Sequence, residues 1–259
     1  MSTRNSETRP DQPSAANSVA DDLAHEILTQ MAPGTSLPSE AELAGRYAVS
    51  RLTIREAVKL LAGRGLLDLA RGRRAVVREP DGSAFADFLT SIIRYDAKGL
   101  FDLVEVRLTL EVQSATLAAK RASRAGITAI ETALDGMRGV VAPDGTVPGE
   151  TAESRFHDFD VGFHEAIAMA SGNRVLSYLF EAMAGPLKEG FFISRRGNEY
   201  RGHTALDTIE AHQRILDCIR AGNARAAAEA MRFHLKDTER DIRTALTRMA
   251  RQPATDRAS

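Results

Sequence analysis

Cysteine and long apolar runs are the two features that this chain of 259 residues most clearly lacks. Its single cysteine, Cys218, allows no disulfide within the chain and excludes a zinc site built from four cysteines. No stretch approaches the roughly 18 apolar residues of a membrane helix, and residues 1–18 lack the apolar core of a secretory signal. We therefore expect a cytoplasmic protein whose residues 1–18 form a disordered tail.

The positive charge of the chain is concentrated in one segment, although the formal net charge of the whole is only -1. Between Arg46 and Arg78 nine basic residues stand against two acidic ones, Glu56 and Asp68. Such an excess marks a candidate phosphate-binding face. Taken alone, a charge run is more often a solvated surface, so the surrounding pattern has to decide.

The sequence before and within this basic segment predicts three helices. Residues 19–30 have apolar side chains at helical spacing and predict a first helix. Ser39 and Glu42 form a capping-box pattern for a second helix, and Ser50 is a good N-cap for a third, over residues 51–64. Two short helices joined by a tight turn are typical of a helix-turn-helix.

The third helix begins with two arginines, Arg51 and Arg55, spaced so that they project from the same face. Beyond it, residues 66–70 and 75–78 flank the basic turn Arg71-Gly72-Arg73-Arg74, which predicts a β-hairpin. A recognition helix followed by a basic hairpin indicates a winged helix-turn-helix for the major groove of DNA.

The stretch LPSEAELAGRYAVSRLTIREAVKLLAGRGLLDLARGRRAVV resembles the DNA-binding domain of GntR-type regulators. That resemblance implies that double-stranded operator DNA is the partner and that the wing enters the minor groove. The residues it assigns to DNA contact are Arg51, Thr53, Arg55, Arg71 and Gly72.

Beyond residue 84 the sequence shows no convincing period-two alternation and predicts six or seven helices in an all-α bundle. The segments LVEVRLTLE, FDVGFHEAIAMASGN and the pair EAHQRIL and MRFHL resemble the FCD ligand-binding domain of the FadR branch of GntR regulators. The predicted fold is therefore mainly α, with these parts: a disordered tail 1–18, a winged helix-turn-helix 19–79, a linker 80–84, an FCD-like domain 85–248 and a disordered tail 249–259.

Four residues of the second domain suggest a metal site. Asp160 and His164 share one helix face, while His212 and His234 flank the turn at 221–223 at nearly equal distances. An antiparallel hairpin would put the two histidines at one level, so all four side chains could converge. One carboxylate and three imidazoles suit zinc, and also nickel or manganese. A lone histidine is more often a core residue, but the FCD resemblance assigns all four to the metal.

Arg107 is an unusual member of the apolar stripe of its helix, because a buried guanidinium is costly without an anion. Glu111, four residues later, could be a purely structural partner. The FCD resemblance instead implies that Arg107 clamps a ligand carboxylate, and that Asn173 lines the pocket, although helix capping would explain Asn173 equally well. His157, one turn before Asp160, is interpreted as a surface or supporting residue.

These features together predict a homodimeric repressor of a catabolic operon, responsive to a small organic or sugar acid bound near the metal. A metal-dependent hydrolase or lyase using the same Asp and His cluster is the alternative, although no glutamate beside those histidines stands out as its general base, and Glu165 and Glu210 are the only candidates. A DNA-binding protein with a vestigial, metal-free second domain is a third possibility.

Overall fold

The computed structural model describes residues 14–79, 81–95 and 98–251, and the chain divides into two compact units after residue 84. In the described residues, no helix is both long and apolar enough to cross a membrane. The mainly helical fold class is confirmed. The outer parts of both predicted tails, residues 1–13 and 252–259, lie outside the described residues.

The first unit is a winged helix-turn-helix. Its elements are α1 (Ala15–Gln30), α2 (Glu40–Tyr47), α3 (Arg51–Gly63), β1 (Leu67–Asp68) and β2 (Val76–Val77). The predicted capping box is present, since Ser39 and Glu42 cap each other's backbone, and the Ser50 side chain accepts a hydrogen bond at the start of α3. These caps satisfy backbone N–H groups that a helix start leaves free.

The core of this unit holds the recognition helix in place. Leu23 of α1 packs with Ile54 and Leu61 of α3, and all three are fully buried. The antiparallel strands pair Leu67 with Val77, and the turn between them passes through Gly72 at a φ of 74°. Because that backbone conformation favours glycine, Gly72 lets the wing turn tightly.

Three predicted boundaries were wrong. Helix α1 begins at Ala15, inside the predicted tail, because Ser14 caps it and Ala16 is buried against the core. Helix α4 begins at Ser83, so the predicted linker 80–84 ends after Gly82, and its residue 80 lies outside the described residues. At the other end the last helix continues to Arg251 instead of stopping at residue 248, because nothing in the sequence interrupts it there.

The second unit contains seven helices and no strand in its described residues. They are α4 (Ser83–Tyr95), α5 (Lys98–Arg121), α6 (Arg124–Arg138), α7 (Gly149–Ala170), α8 (Arg174–Tyr200), α9 (Ala205–Arg220) and α10 (Ala224–Arg251). Helix α10 packs against α5, α8 and α9, while α7 packs against α5, α6 and α8. Inward-facing positions of α5, α7, α9 and α10 therefore meet in the middle of the bundle.

Helices α8 and α10 approach each other closely at Gly197. A Cβ atom added there would lie 1.8 Å from the carbonyl oxygen of Asp241. No side chain fits such a gap, so glycine is needed for α10 to lie against α8.

We expect Gly197→Ala to lower the free energy of unfolding by about 1 to 3 kcal/mol or more, because the two helices must separate. Gly162→Ala is the matched control: a Cβ there meets nothing within 4 Å, and α7 should gain up to about 1 kcal/mol in helix propensity. Urea denaturation of both variants provides the measurement. Equal stability of Gly197→Ala and the unsubstituted protein would contradict the close packing.

Candidate functional site

Three buried histidines from three helices meet in the second unit. They are His164 of α7, His212 of α9 and His234 of α10, exposed by 1%, 0% and 8%. One ring nitrogen from each lies within 4.8 Å of the others. The hairpin of α9 and α10 brings His212 and His234 together across the turn at 221–223, with ring centroids 4.6 Å apart.

Asp160 extends this cluster with a carboxylate. It lies one helical turn before His164, and its Oδ1 is 2.9 Å from Nε2 of His212. Burial acts to raise the pKa of Asp160, but its contact with His212 and the charge of Arg107 outweigh burial and lower it. The carboxyl group is therefore held in its ionised form.

The outer ring nitrogens of two histidines are already engaged. Nδ1 of His212 is 2.7 Å from the carbonyl oxygen of Thr208, which can only accept, so this nitrogen carries the proton. Nδ1 of His164 contacts the carboxylate of Glu111, which favours a proton there too. In both rings the Nε2 lone pair then points inward, and the two Nε2 atoms are 3.2 Å apart.

This donor set fits a divalent transition metal. Two inward lone pairs and a carboxylate lie together, and Nε2 of His234 is buried with no hydrogen-bond partner in the described residues. A single shared proton satisfies one of these contacts, whereas a cation can accept electron pairs from all of them. Three imidazoles and one carboxylate suit zinc, nickel or manganese and leave coordination positions for another ligand.

Glu111 connects the histidine cluster to the buried arginine of α5. Its Oε1 accepts from Nε of Arg107 at 2.5 Å, while its Oε2 contacts His164. Burial acts to raise the pKa of Glu111, but the charge of Arg107 and the side-chain contacts with His164 and Arg107 lower it to about 2. Carboxylates in this position orient metal-binding histidines and fix their tautomer.

Arg107 itself is 2% exposed, and Glu111 is the structural partner that the sequence allowed for. Its guanidinium also lies over the ring of Phe191, 5.2 Å from the centroid. One nitrogen, Nη2, has no hydrogen-bond partner in the described residues. Arg107 lines a small void beside Phe191 and Thr238, not the larger cavity at the histidines, so its role as a ligand clamp stays a prediction.

A cavity of about 380 Å³ opens beside the cluster, between helices α7, α8, α9 and α10. Asp160 and His234 lie in its wall, as does His157, which is buried and stacked on aromatic rings instead of lying at the surface. Asn173 is elsewhere: its side chain caps α8 by accepting from the backbone N–H of Val175. The structure thus gives Asn173 the capping function and places it outside the wall of this cavity.

The first unit has a basic groove between α2, α3 and the wing. Three of the predicted DNA-contacting residues, Arg51, Arg55 and Gly72, line it together with Lys59, Arg73 and Arg74. Arg55 donates two hydrogen bonds to Glu40 at 3.1 and 2.8 Å, so this arginine is also tied to the start of α2.

The other two predicted DNA contacts do not line this groove. The Thr53 hydroxyl lies 2.9 Å from that of Ser50 at the start of α3, and Arg71 is exposed on the wing. Both remain predicted DNA contacts.

Two supporting contacts were not predicted. The spacing of Arg107 and Glu111 was visible along one helix, but the contact of Glu111 with His164 joins α5 to α7. The carbonyl of Thr208 that orients His212 is a backbone group, so residue types carry no signal for it. Its position four residues earlier on the same helix is the only available hint.

Comparisons with known proteins agree with this architecture. Residues 15–77 match the model of the gntR family of bacterial regulatory proteins, and residues 102–237 match the FCD domain. HTH-type transcriptional regulator LutR of Bacillus subtilis is 31% identical over 81% of this chain and 92% of its own length. The galactonate operon transcriptional repressor of Escherichia coli is 29% identical over 76% of this chain and 83% of its own length.

A solved structure is similar across both units. The Streptococcus agalactiae GntR protein has a TM-score of 0.66 and 30% identity, and the match covers 87% of this chain and 99% of that one. Family models for both units and relatives spanning both identify the same architecture. This chain therefore belongs to the GntR family of bacterial transcription regulators, in the branch with an FCD domain, and it is not an enzyme.

Proposed function

We propose that this protein is a homodimeric repressor of a catabolic operon, released from its operator by a small organic or sugar acid. The observation that carries the proposal is the buried Asp160 and histidine cluster with a cavity at its edge. A metal there, zinc being the first choice, would take a carboxylate as a further ligand by expanding its coordination beyond the four protein donors. The similarity to a galactonate operon repressor supports regulation by such acids.

DNA recognition is assigned to the groove of the first unit. Two copies related by a twofold axis would present two recognition helices to a pseudopalindromic operator in the cytoplasm. Arg51 is exposed at the start of α3, and its guanidinium is suited to guanine edges or phosphates. Arg55 would have to exchange part of its contact with Glu40 for DNA.

Effector binding is assigned to the metal and to Arg107. The unpaired Nη2 of Arg107 supplies a donor, and its guanidinium is held rigidly by Glu111. A carboxylate between the guanidinium and the metal would favour one arrangement of the helices. Differential affinity of that kind is what changes DNA binding.

The positions of the two candidate bases argue against hydrolase or lyase chemistry. Glu165 lies in a separate groove between α6 and α7, lined also by Met169. Glu210 faces the cavity but accepts a hydrogen bond from Arg214 at 3.0 Å.

The Arg51→Ala variant is expected to weaken specific operator binding by about 1 to 3 kcal/mol, because a direct contact with the DNA is removed. Its helix content should be unchanged, since the side chain is exposed. Arg64→Ala is the matched control, because Arg64 lies at the other end of α3 and pairs with Asp21 of α1. Fluorescence anisotropy with operator DNA measures both. Undiminished affinity of Arg51→Ala would reject α3 as the recognition helix.

The Arg107→Ala variant should abolish the effector response, because the carboxylate clamp is lost. We expect the effector to change operator affinity by roughly 5-fold to 150-fold in the unsubstituted protein, the usual range of allosteric coupling. Arg107→Lys keeps the positive charge but cannot hold a carboxylate through two parallel N–H groups, so its response to the effector should be weak. The measurement is operator binding titrated with a panel of organic and sugar acids.

Metal content is measured in parallel, since Glu111 contacts both Arg107 and His164. Both variants should keep their metal and their effector-free operator affinity. An undiminished effector response in Arg107→Ala would refute the clamp.

A further inference from the structure

The wall of the cavity includes three neutral polar side chains that are buried, and two of them are unsatisfied. Asn198 of α8 is 7% exposed and its Oδ1 has no hydrogen-bond partner in the described residues. The same holds for Nε2 of His157, which is 3% exposed. Ser194 lies one turn before Asn198 and is 8% exposed. All three line the cavity.

Unsatisfied groups of this kind are costly unless a ligand completes them. A buried polar group without a hydrogen bond has lost its contact with water and gained nothing in return. Nε of Arg195 also has no hydrogen-bond partner in the described residues, but it lies 3.8 Å from Oε1 of Glu153 and Nη2 lies 3.2 Å from Oε1 of Glu199, so this guanidinium is charge-paired. The wall thus offers an acceptor on Asn198 and a ring nitrogen on His157, and a hydroxyl group can form a hydrogen bond with either.

Two other arginines of this wall also face carboxylates. Arg201 donates to Asp241 at 2.6 Å and to Asp237 at 2.9 Å. Arg214 donates to Glu210 at 3.0 Å. A second carboxylate on the ligand would meet these acids and be repelled, whereas hydroxyl groups carry no charge to repel.

We infer that this wall binds the hydroxyl groups of a polyhydroxylated monocarboxylic acid of the aldonic acid class. The inference rests on the proposed function, in which the carboxylate end of the effector lies at the metal, and it narrows the effector to one chemical class. An apolar chain would leave Asn198 and His157 unsatisfied. A three-carbon acid would not reach them, since a cavity of about 380 Å³ lies in the range that holds drug-sized ligands.

The test compares acids on purified full-length protein supplemented with Zn²⁺. D-gluconate, D-galactonate and D-mannonate are the hydroxylated probes, and hexanoate, glutarate and L-lactate are the comparisons. We expect at least one aldonate to bind 10-fold or more tightly than all three comparison acids by calorimetry, because at least two hydrogen bonds are added. The same aldonate should change operator affinity.

Asn198→Ala should lose about 10-fold in affinity for that aldonate while its weaker affinity for L-lactate stays the same. Thermal unfolding should show that the variant is folded, since the substitution removes an unsatisfied group. Arg196→Ala is the matched control, because Arg196 is exposed on the same helix and lies outside the cavity wall. It should leave both affinities unchanged.

Three results would overturn the inference, and they separate it from the proposed function. If hexanoate, glutarate or L-lactate binds as tightly as every aldonate, and His234→Ala abolishes that binding, the acid sensor stands and the hydroxyl subsite is rejected. Aldonate binding that Asn198→Ala leaves unchanged also rejects the subsite alone. If none of the six acids binds, the subsite and the proposed acid effector are both rejected.

Discussion

One electrostatic constraint organises the second unit: the Nε2 lone pairs of buried histidines face one another where water does not hydrate them. His164 and His212 each use one ring nitrogen for an outward contact, so their inner nitrogens face each other at 3.2 Å. Burying such groups unpaired is unfavourable, and a divalent cation removes the conflict by accepting all of them. A cation at this point would join α7, α9 and α10, which come from distant parts of the sequence. The position of these helices and the wall of the cavity then depend on the same interaction.

A second layer of contacts extends from this centre to α5. Glu111 touches His164 with one oxygen and Arg107 with the other, so a change at the guanidinium reaches a histidine of the cluster through a single side chain. The guanidinium of Arg107 also contacts the ring of Phe191, which extends the connection to α8. A ligand that binds Arg107 and shifts it would therefore affect both α7 and α8. An effector-responsive domain requires a connection of this kind.

The parts of this account that the sequence predicted are those set by local spacing. The Ser39 and Glu42 capping box is a pattern within one turn of helix. That His212 and His234 lie side by side in the hairpin follows from counting residues on either side of its turn. Asn173 shows where such prediction ends, because an asparagine at this position is equally compatible with capping a helix and with lining a pocket. The contact of Glu111 with His164 and the burial of Asn198 depend on how neighbouring helices are rotated about their axes, which spacing within a helix does not specify.

X-ray absorption spectroscopy of the purified, chelator-free protein tests the central claim most directly. We expect close to one equivalent of a divalent transition metal per chain, with three imidazole nitrogens in its first coordination sphere at about 2.0 to 2.1 Å if the metal is zinc. The double variant His212→Ala, His234→Ala should purify without metal and keep its operator affinity. A spectrum with fewer than three imidazoles, or a protein that contains no metal and takes up none, would contradict the account.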